Sequence, residues 1–311
     1  MNKKQEEKGI TLIALIITII IMLILVGVTI SISLQGGLFG YAKTAAKDTK
    51  NALEYENSLA EGIINGQTID DIVGTAVADD WYETPAEELK TDKDGNYHIS
   101  TCAELALFAK TVNEGNDFAG KTVYLDKNLD LQGNENKQWT PIGIRDVKPF
   151  NGTFDGKNHY ISGIYINTTE EGHYGLFEYV GSQVDNNGIK NLGVKSSYIK
   201  ATKGCCGGIV GYNAGTIQNC YNEADIIGEI AGGIAGFNDF KILKSYNSGI
   251  IKGNSNIGGI AGDQEAEINC CYNAGKIIAM GEGDVSGIGS VGGDIKDCFN
   301  IGELTRWSKF I

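Results

Sequence analysis

The longest uninterrupted apolar pattern covers residues 10–33 (ITLIALIITIIIMLILVGVTISIS), which carry no charge. As a helix at about 1.5 Å per residue the run reaches about 36 Å, enough to cross a hydrocarbon core of ~30 Å. Residues 1–9 before it are polar, and Lys3, Lys4 and Lys8 favour a cytoplasmic N-terminus, which sends the rest of the chain outside. Over residues 34–66 the apolar positions Ala42, Ala45, Ala52, Leu59 and Ile63 recur near helical period, and Gly66 is a terminator, so a second, stalk-like helix is predicted. Further on, Thr101-Cys102-Ala103-Glu104 forms a capping box at the head of a short helix, ELALFAKTVN, which Gly115 ends. The runs FAGKTVYLDKNLDL and PIGIRDVKPFNGTFDGKNHYISGIYI then change to short β-rich segments with turns such as Asp155-Gly156.

From Gly207 a longer pattern takes over. GGIVGYNAGTIQNCYNEADI is followed by GGIAGFNDFKILKSYNSGII from Gly232, GGIAGDQEAEINCCYNAGKI from Gly258, and a degenerate GIGSVGGDIKDCFNIGEL from Gly287. The Tyr/Phe-Asn anchors fall at Asn222, Asn247, Asn273 and Asn300, at intervals of 25, 26 and 27 residues. An earlier divergent copy reads GHYGLFEYV and then GIKNLGVKSSYI. A unit of this length cannot bury its own apolar face, so copies must stack. Three short strands per copy, separated by Gly, Asn and Asp at the corners, predict a right-handed parallel β-helix of one coil per copy over residues 170–305. The helix near residue 102 is then expected to cover the open N-terminal end of the coils.

Composition agrees with periodic corners: 43 glycines stand against three prolines, with no collagen period. The formal net charge is −13, and Arg145 and Arg306 are the only arginines, so the basic patch that a phosphate backbone needs is missing and nucleic acid is excluded as a partner. Seven cysteines cannot all pair internally, and they form no CxxC, so zinc is disfavoured and free thiols packing as small apolar residues are expected.

Two sets of residues resemble known families. Lys8-Gly9 followed by Ile10-Thr11-Leu12-Ile13 resembles a class III (prepilin) leader, and residues after the apolar run (GGLFGYAKTAAKDTKNA) resemble the post-membrane segment of Gram-positive prepilin-like proteins. The resemblance implies cleavage by a prepilin peptidase after Gly9, leaving Ile10 as the mature N-terminus. Type IV pilins carry Glu at the fifth mature position, where this chain has Ala14, which argues against efficient polymerisation. Gly208-Ile209-Val210-Gly211-Tyr212-Asn213 and Gly233-Ile234-Ala235-Gly236-Phe237-Asn238 resemble the GLUG motif, and Gly259-Ile260-Ala261-Gly262-Asp263 departs from it at the aromatic position. GLUG repeats occur in bacterial surface adhesins and beside the catalytic domains of IgA-cleaving metallopeptidases, where they are not themselves catalytic.

The expected organisation is therefore a leader (1–9), a transmembrane helix (10–33), a helical stalk or linker (34–78), a cap with the first coils (79–170) and GLUG-type repeats (171–311). The expected function is a membrane-anchored cell-surface adhesion or interaction protein with an extracellular β-helix, whose ligand is a host or cell-wall glycan or a protein. The alternatives are a minor pilin or pseudopilin-like filament subunit and a β-helix carbohydrate-active enzyme.

Candidate chemistry is sparse, and neither an enzyme activity, a metal nor a cofactor is expected. Charged positions do not line up from copy to copy, as a glycosidase carboxylate pair would require. Asp92-Lys93-Asp94-Gly95-Asn96 opens like a calcium loop, but its glycine is early and Ala103 holds the twelfth position, so turn chemistry is the simpler reading. His98, His159 and His173 read as strand or turn residues. Trp81, Trp139 and Tyr212 could stack on sugars, although packing is the plainer role. Cys220, Ser245, Cys271 and Cys298 each precede an anchor asparagine by two residues. They are expected to form an inward ladder of small side chains about 4.8 Å apart, with Cys271 and Cys298 adjacent but free.

Overall fold

The computed structural model describes residues 75–77, 81–84, 86–181, 187–290 and 292–306. Gly9, Ile10, the apolar run 10–33 and residues 34–74 of the expected stalk (34–78) lie outside them, whereas Thr75–Val77 near the end of that expected stalk is a strand paired in parallel with Asn128–Asp130. Among the described residues no helix is long and apolar enough to cross a membrane.

Within Val73–Ile311 the chain winds into a mainly β structure, a parallel β-solenoid of about eight turns. One sheet has nine strands: Lys90–Thr91, Tyr97–Ile99, Thr122–Leu125, Thr153–Asp155, Gly188–Lys190, Thr216–Gln218, Lys241–Leu243, Glu267–Asn269 and Asp294–Lys296. Its central residues stack in register as Val123, Phe154, Ile189, Ile217, Ile242, Ile268 and Ile295, an inward row produced by the polar-apolar-polar triplets. A four-stranded sheet holds Phe177–Val180, Val210–Asn213, Ala235–Asn238 and Ala261–Gln264. The third sheet has 15 strands. Its two long members, Gly193–Gly207 and Tyr221–Gly232, pair with register shifts after Lys195 and Ala201 and so follow the coil around its corners.

Five successive coils leave the nine-stranded sheet through the same sharp corner. Asn191, Asn219, Lys244, Cys270 and Asp297 follow its strands in successive coils, all with φ between 50° and 53° or at 55°. Asn and Asp tolerate this left-handed conformation, whereas lysine and cysteine pay about 1 kcal/mol for it. Lys244→Gly is therefore expected to stabilise the fold by about 1 kcal/mol, read as a rise in the urea midpoint at constant m value. An unchanged or lower midpoint would show that the corner is unstrained.

The helix forms as the capping box predicts and spans Cys102–Glu114. The Thr101 hydroxyl accepts from the Glu104 N–H at 3.2 Å, and the Glu104 carboxylate accepts from the Thr101 and Ser100 N–H groups at 3.1 and 2.7 Å. Gly115 closes the helix at φ 119°. Its Leu105, Phe108 and Val112 are fully buried, and the Phe108 ring lies 5.0–6.5 Å from Phe118, Phe150, Phe154 and Phe177. Five packed rings thus fill the early coils where the helix docks. In the last described coil Ile295, Phe299, Ile301 and Leu304 are exposed.

Candidate ligand-binding surface

The repeat asparagines Asn222, Asn247 and Asn273 are fully buried, and Asn300, in the last described coil, is exposed. Asn222, Asn247, Asn273 and Asn300 stand directly above one another. Each amide donates to the next, at 2.8, 2.7 and 2.7 Å. Each also closes its own turn: Asn247 Nδ2 donates to the Gly249 carbonyl at 3.0 Å, and its Oδ1 accepts from the Gly249 N–H at 3.2 Å. Asn213, Asn238 and Gln264 build a second buried ladder with steps of 2.7 and 2.9 Å. The repeat glycines make room for the first ladder. A Cβ on Gly208, Gly233, Gly259 or Gly287 would overlap Asn222, Asn247, Asn273 or Asn300 respectively. These residues hold the coils together.

The column of small residues is inward as well. Cys220, Ser245 and Cys271 are buried and Cys298 is partly so. The backbone N–H of each donates to the side chain of the next, from Cys220 to the Ser245 hydroxyl at 3.1 Å and onward to the sulfurs of Cys271 and Cys298 at 3.4 and 3.3 Å. All seven cysteines are free thiols. Burial pushes the thiols of Cys220 and Cys271 up to about 12, which keeps them protonated and unreactive.

Alternation along the strand sends the residue before each asparagine outward. Tyr221, Tyr246, Tyr272 and Phe299 consequently form an external stack with centroid spacings of 5.2, 5.0 and 5.2 Å and ring planes within 7°. The ring faces are used on one another, and Tyr221, Tyr246 and Tyr272 are half-buried while Phe299 is exposed. Gly193 occupies the same row one coil earlier, where a Cβ would strike the Tyr221 ring. Lys195 reaches into that region, its Nζ 5.0 Å from the Tyr160 centroid and 5.3 Å from that of Tyr221. The Tyr/Phe-Asn dipeptides were visible in sequence, but their division into an inner and an outer ladder needed the strand register.

A second outward cluster surrounds Arg145. Its guanidinium carbon lies 3.9 Å from the Tyr212 centroid, and Tyr212 stacks on Phe237 at 4.6 Å. Arg145 Nη1 donates to His173 Nε2 at 3.4 Å, which places the imidazole proton on Nδ1. Glu178 accepts from the Arg145 backbone N–H at 3.2 Å, and the Tyr212 hydroxyl donates to Asp239 at 3.2 Å. Tyr212 is therefore a packed residue within this cluster. Burial first, and the Arg145 charge second, lower His173 from 6.5 to about 4. Unfolded chains bind this proton below pH 6.5 and the folded chain only near pH 4, so its contribution to stability is full above 6.5 and is lost as pH falls towards 4. His173→Gln is expected to flatten the stability profile between pH 6.5 and 4 in urea titrations; an unchanged slope would reject the role.

The remaining candidates resolve into packing and turns. Asp92 Oδ1 accepts from the Asp94 and Asn96 N–H groups at 2.9 Å, which is a turn closed by its own side chain. His98 Nδ1 is 2.7 Å from Asp126, and His159 Nδ1 is 3.2 Å from Asn128 Oδ1, so both histidines have partners that sequence did not reveal. Trp81 and Trp139 meet at 5.7 Å, and their indole N–H groups donate to the Leu131 and Leu176 carbonyls. Among the described residues no group of three or more His, Cys, Asp or Glu is placed to hold a metal ion.

No family model matches the chain. A protein of Evansella cellulosilytica named "Putative Gly-rich membrane protein" is 31% identical over 130 residues, which cover 41% of this chain and 14% of that protein. Halomucin of Haloquadratum walsbyi is 27% identical over 181 residues, covering 56% of this chain and 2% of halomucin. The match therefore spans a small fraction of either relative's length. Among solved structures, a "putative immunoglobulin A1 protease" from Bacteroides ovatus is similar with a TM-score of 0.47 at 18% identity, over 70% of this chain and 80% of that one.

Proposed function

We propose that this chain is a membrane-anchored bacterial cell-surface adhesion or interaction protein that presents its β-solenoid, wound right-handed, as a non-catalytic binding surface. The observation that carries the reading is the external row of Tyr221, Tyr246, Tyr272 and Phe299 on a scaffold locked by internal amide ladders. A rigid aromatic strip at the solvent boundary offers a large contact area at low entropic cost. The GLUG-like repeats support display at the surface. The uncharged run 10–33, with Gly9 and Ile10 as the proposed processing site for a prepilin peptidase, supports anchoring with the solenoid outside. Ala14 favours an anchored subunit over a filament-forming one. Near the row Glu223 pairs with Lys195 at 3.4 Å and Glu303 with Lys276 at 2.9 Å, which supports recognition over acid-base catalysis by these two carboxylates.

Protease shaving of intact cells, combined with adhesion to glycan- and matrix-protein-coated surfaces, tests this reading. The solenoid is expected among the released peptides, and Tyr246→Ala/Tyr272→Ala is expected to abolish most of the adhesion that deletion of the protein removes. A solenoid protected on intact cells, or adhesion unaffected by deletion, overturns it. Mass spectrometry of the membrane-extracted chain tests processing, with Ile10 expected as the first residue.

A further inference from the structure

A cleft of about 350 Å³ opens beside the helix Cys102–Glu114, away from the aromatic row. Trp81, Tyr82, Trp139, Asn113, Gln138 and Thr140 line it, and its volume lies within the ~300–1,000 Å³ typical of small-ligand sites. Tyr82 is 49% exposed, its ring edge-on to that of its chain neighbour Trp81 at 5.6 Å and 89°. The two amides of the cleft are fixed by the backbone in a way that leaves donors over. Gln138 Oε1 accepts from the Asn167 N–H at 2.8 Å, which orients its NH₂ group. Asn113 accepts from the Gly143 N–H at 2.7 Å and donates one of its two hydrogens to the Pro141 carbonyl at 3.0 Å. Thr140 adds a hydroxyl. The charged side chains at the rim, Lys110 and Glu114, pair with each other at 3.8 Å, and Lys137 Nζ lies 5.0 Å from the Trp81 ring centroid.

The geometry points to a binding site for a short neutral saccharide in this cleft, with Tyr82 as its aromatic platform and the spare amide hydrogens of Gln138 and Asn113 donating to its oxygens. A sugar ring has an apolar C–H face for the tyrosine and peripheral oxygens for preoriented donors. A purely apolar ligand would leave those donors unpaired. The inference deepens the proposed function by naming a ligand class. It is tested by binding to the isolated chain, so it and the surface-adhesion reading fail separately.

The test titrates the full chain in detergent with cellotriose, chitotriose and maltotriose, following tryptophan emission and heat. At least one trisaccharide is expected to bind with a shift in indole emission. Tyr82→Ala and Gln138→Ala are each expected to weaken it about tenfold. Both side chains lie at the cleft mouth rather than in the core, and Tyr272→Ala, on the distant aromatic row, is expected to leave the affinity unchanged. No binding by all three sugars, or binding insensitive to Tyr82 and Gln138, overturns the assignment.

Discussion

Asn247→Ala is expected to destabilise the solenoid by about 4 kcal/mol, because the amide sits at the centre of four buried hydrogen bonds. It accepts from Asn222 and from the Gly249 N–H, and donates to Asn273 and to the Gly249 carbonyl, while being fully buried itself. At ~1 kcal/mol for each buried bond lost, alanine removes the rung and leaves the coils above and below with unpaired groups. The same substitution at the end of the ladder, Asn300→Ala, faces solvent and has one ladder neighbour, so it is expected to cost about 1 kcal/mol. Urea unfolding followed by circular dichroism gives both values. Equal costs at the two positions would show that the ladder does not act as a buried network.

Gly233→Ala is the second large effect, about 3 kcal/mol or more. The added methyl overlaps both the Asn247 amide and the Gly259 carbonyl, and neither can retreat without moving a coil. Gly120→Ala provides the contrast. Its φ of 71° brings left-handed strain, but nothing lies within 4 Å of the new Cβ, so about 1 kcal/mol is expected. The clash also predicts non-additivity. Combining Gly233→Ala with Asn247→Ala should cost less than the two losses together, since alanine at 247 removes the amide that the new methyl strikes. Additive thermal unfolding shifts would place the cost of Gly233→Ala elsewhere.

The solenoid was legible in the sequence because its period is written twice, once in Gly-Gly-hydrophobic-hydrophobic-Gly and once in Tyr/Phe-Asn. A repeat of 25 to 27 residues with three β-rich runs admits few architectures, and the strand pairings link Asn222, Asn247, Asn273 and Asn300 as the spacing required. The helix was equally local: Thr101, Glu104 and Gly115 supply both of its ends. Other features were hidden because they depend on neighbours one coil away. Lys244 and Cys270 take the left-handed corner that asparagine fills in other coils, so residue type alone did not mark it. The partners of His98, His159 and His173 are 28 to 31 residues distant.

By itself, then, the sequence determined the repeat unit, the stacking of coils and the capped helix, since each follows from local conformational preference and from apolar faces too small to bury alone. Only the tertiary structure decided what the repeats do with their side chains. Strand alternation turns asparagine inward and tyrosine outward, and register places each side chain within reach of its copy in the next coil. Those distances make the anchor asparagines an internal ladder, the tyrosines an outward aromatic row, and Trp81, Tyr82 and Trp139 the wall of a cleft. Hydrogen bonds and ring stacking act over a few ångströms, and neither is fixed until the coils lie one upon another.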